Sequence, residues 1–89
     1  MRNVQLEGIK MTDEKRAHEH IRKRMDFDAS YGANLDALWD MLTKIKKTTC
    51  VTLNDSEVLM KNLGQFAYDL IDTFEDASKA NRKLIFERF

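Results

Sequence analysis

Three short apolar runs, each separated from the next by a long stretch with helical periodicity, limit what this chain can become. Val4 and Leu6 alternate with Asn3, Gln5 and Glu7, the pattern of a strand half covered by a core, and Gly8 breaks it. Residues 48–53 are rich in β-branched and small apolar side chains and read as a buried strand. Leu84, Ile85 and Phe86 read as a last strand, of the kind buried on both faces. Because helical segments intervene, successive strands are expected to pair in parallel. The expected fold is therefore α/β, a three-stranded, mostly parallel sheet packed with four helices. At 89 residues the chain has room for one domain, residues 1–89, and one core.

The helices are marked by caps and stripes. Thr12 reads as the first N-cap, with Asp13 and Glu14 in the opening turn and Ala17, Ile21 and Met25 as the apolar stripe. Residues 26–33 read as a loop that turns at Tyr31 and Gly32, and Asn34 reads as the cap of a second helix running from Leu35 to about Ile45. Lys44, Lys46 and Lys47 suit the negative pole at its end. Asn54 and Asp55 open a third helix with Val58, Leu59, Met60 and Leu63 facing inward, and Gly64 stops it. Phe66, Ala67, Leu70, Ile71, Phe74 and Ala77 then make the strongest amphipathic pattern in the chain, and Asn81 ends it.

Composition narrows the function classes. Hydrophobic residues at 43% and charged residues at 34% are those of a folded globular domain. No segment reaches the roughly 20 apolar residues of a spanning helix, and no leader pattern opens the chain, so a cytoplasmic protein without membrane contacts is expected. Cys50 is the one cysteine and fits a small buried position. His18 and His20 lie about 200° apart around a helix, so they cannot share a metal, and both read as surface residues. No phosphate loop, dinucleotide fingerprint or nucleophile elbow is present, so neither an enzyme nor a cofactor or small-molecule site is expected.

With fifteen basic and fifteen acidic residues, the net charge names no partner, but its distribution does. Asp26, Asp28, Asp36 and Asp40 fall in a stretch, residues 26–43, without a single Lys or Arg. Setting Leu35 at zero, Leu38, Met41, Leu42 and Ile45 lie on one side of the second helix, whereas Trp39, Thr43, Asp36 and Asp40 fall at about 40°, 80°, 100° and 140°. One side is core and the other looks outward. Asp36 has no cation three or four residues on, and Asp40 stands in that place as a like charge, a mildly unfavourable arrangement on a free surface. A cationic partner would remove the penalty. The basic groups around residues 15–24, 44–47 and 79–83 could serve a nucleic acid, but the acidic, Lys-free face makes that the weakest reading.

The segment Tyr31-Gly32-x-Asn34-Leu35-Asp36-Ala37-Leu38-Trp39-Asp40-x-Leu42-Thr43 closely resembles the signature of the barstar family, intracellular inhibitors of barnase-type bacterial ribonucleases. The resemblance extends over the whole chain in length and element order. It implies a stoichiometric inhibitor that sets its second helix and the preceding loop into the nuclease's active-site cleft. Asp40 would take the place of a substrate phosphate and meet the enzyme's Arg and His cations, and Asp36 would pair with further cations. Tyr31, Gly32 and Asn34 would contact the partner from the loop and helix start. Trp39 would pack at the edge, and Thr43 would hydrogen-bond at the far end, with Ile45 beyond it. Asp76 stands where the family places an acidic contact, one methylene shorter than the usual Glu. Three positions depart from the pattern: Ser30 replaces an aromatic, Ala33 an acid and Ile45 a Trp. A barstar-like module directed at a different toxin or partner remains the alternative.

Overall fold

Helical crossovers impose parallel pairing throughout this chain. A computed structural model describes residues 1–89. Strands β1 (Arg2–Glu7), β2 (Thr49–Asn54) and β3 (Leu84–Arg88) lie in the order β1-β2-β3, and both pairs are parallel. Helices α1 (Glu14–Met25) and α2 (Leu35–Thr43) connect β1 to β2, and α3 (Ser56–Leu63) and α4 (Gln65–Ala80) connect β2 to β3. Helix α1 rests on β1, α4 on β3, α2 on α4, and α3 on α4 and the short 3-10 turn Gly8–Lys10. No helix is long and apolar enough to cross a membrane.

The strand register decides which side chains enter the core. Val4 aligns with Val51 and Phe86, and Leu6 with Leu53; Val4, Leu6, Val51 and Leu53 are buried. The alternate rows, Asn3–Cys50–Ile85 and Gln5–Thr52–Glu87, face the other way, and no helix closes over them. Helices thus cover one face of the sheet only. The last strand is consequently not buried on both faces: Leu84 is enclosed, but Ile85 is 39% exposed. Cys50 shares that open row, so it is half-buried rather than buried, with its Sγ 3.4 Å from Glu87 Oε1. Partial burial and then the Glu87 carboxylate push the thiol's pKa up, away from the reactive thiolate.

Several boundaries and faces shift by local chemistry. Asp13 caps α1, its Oδ1 accepting the Arg16 N–H at 2.7 Å, so Thr12 lies one residue outside. Asn34 caps α2 as expected, accepting the Ala37 N–H at 2.7 Å. That helix ends at Thr43, short of Ile45, because the side-chain amide of Asn81 donates to both Leu42 O and Ile45 O at 3.0 Å. Asp55 adopts a left-handed conformation before α3 and makes no side-chain cap. In α3, Leu59 is buried and Met60 and Leu63 are partly so, but Val58, one residue round from Leu59, is 38% exposed. Along α4 the expected stripe holds, with Ala67, Leu70, Ile71, Phe74 and Ala77 buried.

Gly8 does more than interrupt β1. It is buried, and a Cβ there would overlap the backbone oxygen of Asp55 and lie 2.8 Å from that of Asn54. Backbone on both sides leaves no flexible atom to yield. Gly8→Ala is therefore expected to destabilise the protein by roughly 1–3 kcal/mol, read from the urea midpoint, and an unchanged midpoint would contradict the close approach.

Candidate partner-binding site

The loop between α1 and α2 is held from beneath. Asp26 takes the left-handed conformation that ends α1, and the next N–H, that of Phe27, donates to Arg22 O at 2.9 Å. This turns Phe27 into the core, where its ring lies 5.3 Å from that of Tyr31. Asp28 then closes a turn, its Oδ1 accepting the Ser30 N–H at 2.8 Å and its carbonyl the Tyr31 N–H at 3.0 Å. Hydrogen bonding from the Ser30 backbone, and then its side chain, holds the Asp28 carboxyl below its ordinary pKa. Across the bend, Gly32 lets Ala37 approach, since a Cβ on it would lie 3.1 Å from the Ala37 Cβ. Ala33 pays with a φ of 52°, and Asn34 Nδ2 donates back to Gly32 O at 3.3 Å.

The histidines are not surface residues. His18 is only 5% exposed, its Nδ1 2.7 Å from the Tyr31 hydroxyl and its ring packed edge-on against Phe66. His20 is half-buried, and its Nε2 accepts the Glu7 N–H at 2.9 Å as β1 ends. The sequence did carry a sign of this: His18 is three residues before Ile21 and seven before Met25, both wholly buried, and so shares their face. Burial lowers both imidazole pKa values; for His18 Glu14 opposes the shift, and for His20 the cations Arg24 and Lys10 add to it. Burial likewise pushes the Tyr31 phenol up to about 12.

On α2, Leu38 and Leu42 are wholly buried, and Leu35, Met41 and Ile45 pack at the core's margin. Asp36 and Asp40 are exposed, Trp39 is 37% exposed, and Thr43 is half-buried. The Thr43 hydroxyl donates to Trp39 O at 2.8 Å, which leaves its lone pairs free to accept. A cavity of about 210 Å³ opens between loop and helix, lined by Tyr31, Gly32 and Asp40 together with Asp28, Ser30, Ala37, Met41 and Lys44. Of the expected contact residues it unites Tyr31, Gly32 and Asp40. Asn34, Asp36, Trp39, Thr43 and Ile45 lie outside it along the same loop and helix, and Asp76 is exposed on α4. Neither Asp28 nor Lys44 is among the expected contact residues, although the Lys44–Lys47 group stands close to them in the sequence.

No cation within the chain answers these acids. The three ion pairs, Arg16–Asp13, Arg22–Glu19 and Lys23–Glu19, all lie on α1 or at its cap, so Asp28, Asp36, Asp40 and Asp76 are unpaired. The sequence model of the family described as Barstar (barnase inhibitor) matches residues 1–88. The chain belongs to the barstar family. It is also similar to a Bacillus subtilis (strain 168) protein named "Putative ribonuclease inhibitor YrdF", being 31% identical over 80 residues that cover 89% of this chain and 88% of that one. This barstar-family fold presents unpaired acids beside the buried His18 and the half-buried Tyr31.

His18, His20 and Tyr31 set a pH window. With the folded His18 and His20 pKa values below 6.5, the unfolded chain takes up protons first, so stability is whole above that pH and is lost as pH falls through it. For Tyr31 the unfolded phenol ionises first, so stability also declines as pH climbs from 10.0 towards about 12. Proton NMR should show both histidines titrating below 6.5, and ordinary midpoints for both would refute their burial as neutral rings.

Proposed function

We propose that this chain is a stoichiometric protein inhibitor of a secreted ribonuclease of the barnase type. Helix α2 and the loop before it enter the nuclease's active-site cleft, and the inhibitor works in the cytoplasm of the producing cell before the enzyme is exported. The observation that carries the reading is the set of exposed acids without internal partners, with Asp40 at the mouth of the cavity beside Tyr31 and Gly32.

The chemistry follows from charge. A ribonuclease cleft holds Arg, Lys and His where substrate phosphates sit, and a carboxylate offered at phosphate spacing satisfies the same donors. Asp40 stands in for the phosphate, and Asp36, one turn earlier, meets further cations. Asp76 on α4 gives a peripheral acidic contact, and Trp39 packs at the edge. Asn34 directs its side chain to capping α2, so its role is to fix the helix start that aims Asp36 and Asp40. Both helix acids are exposed rather than enclosed in a dry cleft, which suits binding and not proton transfer. The basic face of α1 suits a nucleic acid poorly, because Arg16, Arg22 and Lys23 already meet Asp13 and Glu19. Steered association and acidic hot spots are properties of the barnase–barstar pair itself, and they come to this chain through its family.

Mixing the protein with barnase and with several ribonucleases of that class, and following RNA cleavage, tests the reading. Loss of activity at one inhibitor per enzyme is expected for at least one of them; full activity in every case at excess inhibitor would overturn it. Asp40→Ala should weaken the complex at least about thirtyfold, the level that defines a hot spot, and Asp76→Ala should weaken it less. An Asp40→Ala protein that binds as tightly as the parent would remove Asp40 from its central place.

A further inference from the structure

Lys44 is the one cation lining the cavity that Asp28 and Asp40 also line. It follows Asp40 by four residues, the order in which an acid and a lysine pair well on a helix, yet no ion pair forms between them. Nor does the helix end depend on it. The carbonyls of Leu42, in the last turn, and of Ile45, two residues past the helix, are taken by the Asn81 amide and not by the Lys44 side chain. A positive charge thus stands free inside an otherwise acidic contact surface.

Resting on the reading of the protein as a ribonuclease inhibitor, we propose that Lys44 decides which nucleases it accepts. A partner cleft that is cationic throughout brings its own cations against Lys44 when Asp40 docks, and that repulsion lowers affinity. A partner that sets a carboxylate opposite the end of α2 meets both charges at once. Lys44 therefore acts as a selectivity element, admitting the second kind of cleft and discriminating against the first.

Barnase, whose inhibition by this family depends on cation-to-carboxylate contacts, is the probe. Its binding to the parent, Lys44→Gln, Lys44→Glu and Lys47→Glu is compared by inhibition of RNA cleavage at low and high salt. Lys47 is exposed but lies outside the cavity lining, so its reversal changes net charge as much as Lys44→Glu without touching the site. Expected are gains of about fivefold for Lys44→Gln and about twentyfold for Lys44→Glu, the scale of rim charge pairs. Lys47→Glu should gain less, and all gains should fade near 1 M salt, where the Debye length is about 3 Å. Lys44→Gln adds no like charge beside Asp40, which separates the effect from any weakening of α2. A Lys44→Glu protein no tighter on barnase than the parent, or one matched by Lys47→Glu, overturns the proposal. Inhibition by the parent without a gain from Lys44→Glu refutes the role of Lys44 alone, whereas a parent that inhibits no ribonuclease refutes the functional reading itself.

Discussion

The proposed contact surface depends throughout on the seat of α2 against α4. A helix of nine residues is marginal in water by itself, because nucleation costs more than so few hydrogen bonds return. What holds it is the complete burial of Leu38 and Leu42 on the side that packs against α4, with Leu35, Met41 and Ile45 closing the margin. Its two ends are tied by asparagines of different origin: Asn34 caps from within the segment, and Asn81 reaches across from the end of α4 to take the last carbonyls. With both ends and one side committed, Asp36 and Asp40 have only the outward side left.

The loop that leads into α2 is supported by a small aromatic system rather than by charge. Phe27, Tyr31, His18 and Phe66 pack ring against ring, and the one polar contact among them joins His18 Nδ1 to the Tyr31 hydroxyl. Both groups are neutral around pH 7, the phenol by its ordinary pKa and the imidazole helped by burial, so the support adds no charge beneath the acids. Loop and helix are thereby held in a fixed relation, and the cavity between them is present in the chain alone. For the proposed complex, such preorganisation lowers the ordering cost of association.

Much of this was legible along the chain. Alternation at Val4 and Leu6, the apolar run through Val51, and the helical stripe from Phe66 to Ala77 are local patterns of period 2 and 3.6, and each became the expected element. The split of α2 into an inner and an outer side follows from the same geometry and from nothing distant. The resemblance to the family was legible from Tyr31 to Thr43, neighbouring residues of one loop and one helix, and the family model matches residues 1–88.

What the pattern could not settle is which faces would be covered. Ile85 is apolar and still exposed because the helices pack on one side of the sheet, and Val58 is exposed because Leu59 and Ser56 turn inward. His18 is polar and still buried because Tyr31, thirteen residues on, offers its hydroxyl. Helix α2 stops at Thr43 because of Asn81, and Lys44, already four residues from Asp40, shares a lining with Asp28 because the loop folds across to meet it. Periodicity, capping and charge spacing act within a few residues and are carried by the sequence alone. Coverage, long-range caps and the shared lining of a cavity require segments distant in the chain to meet, and only the tertiary structure brings them together.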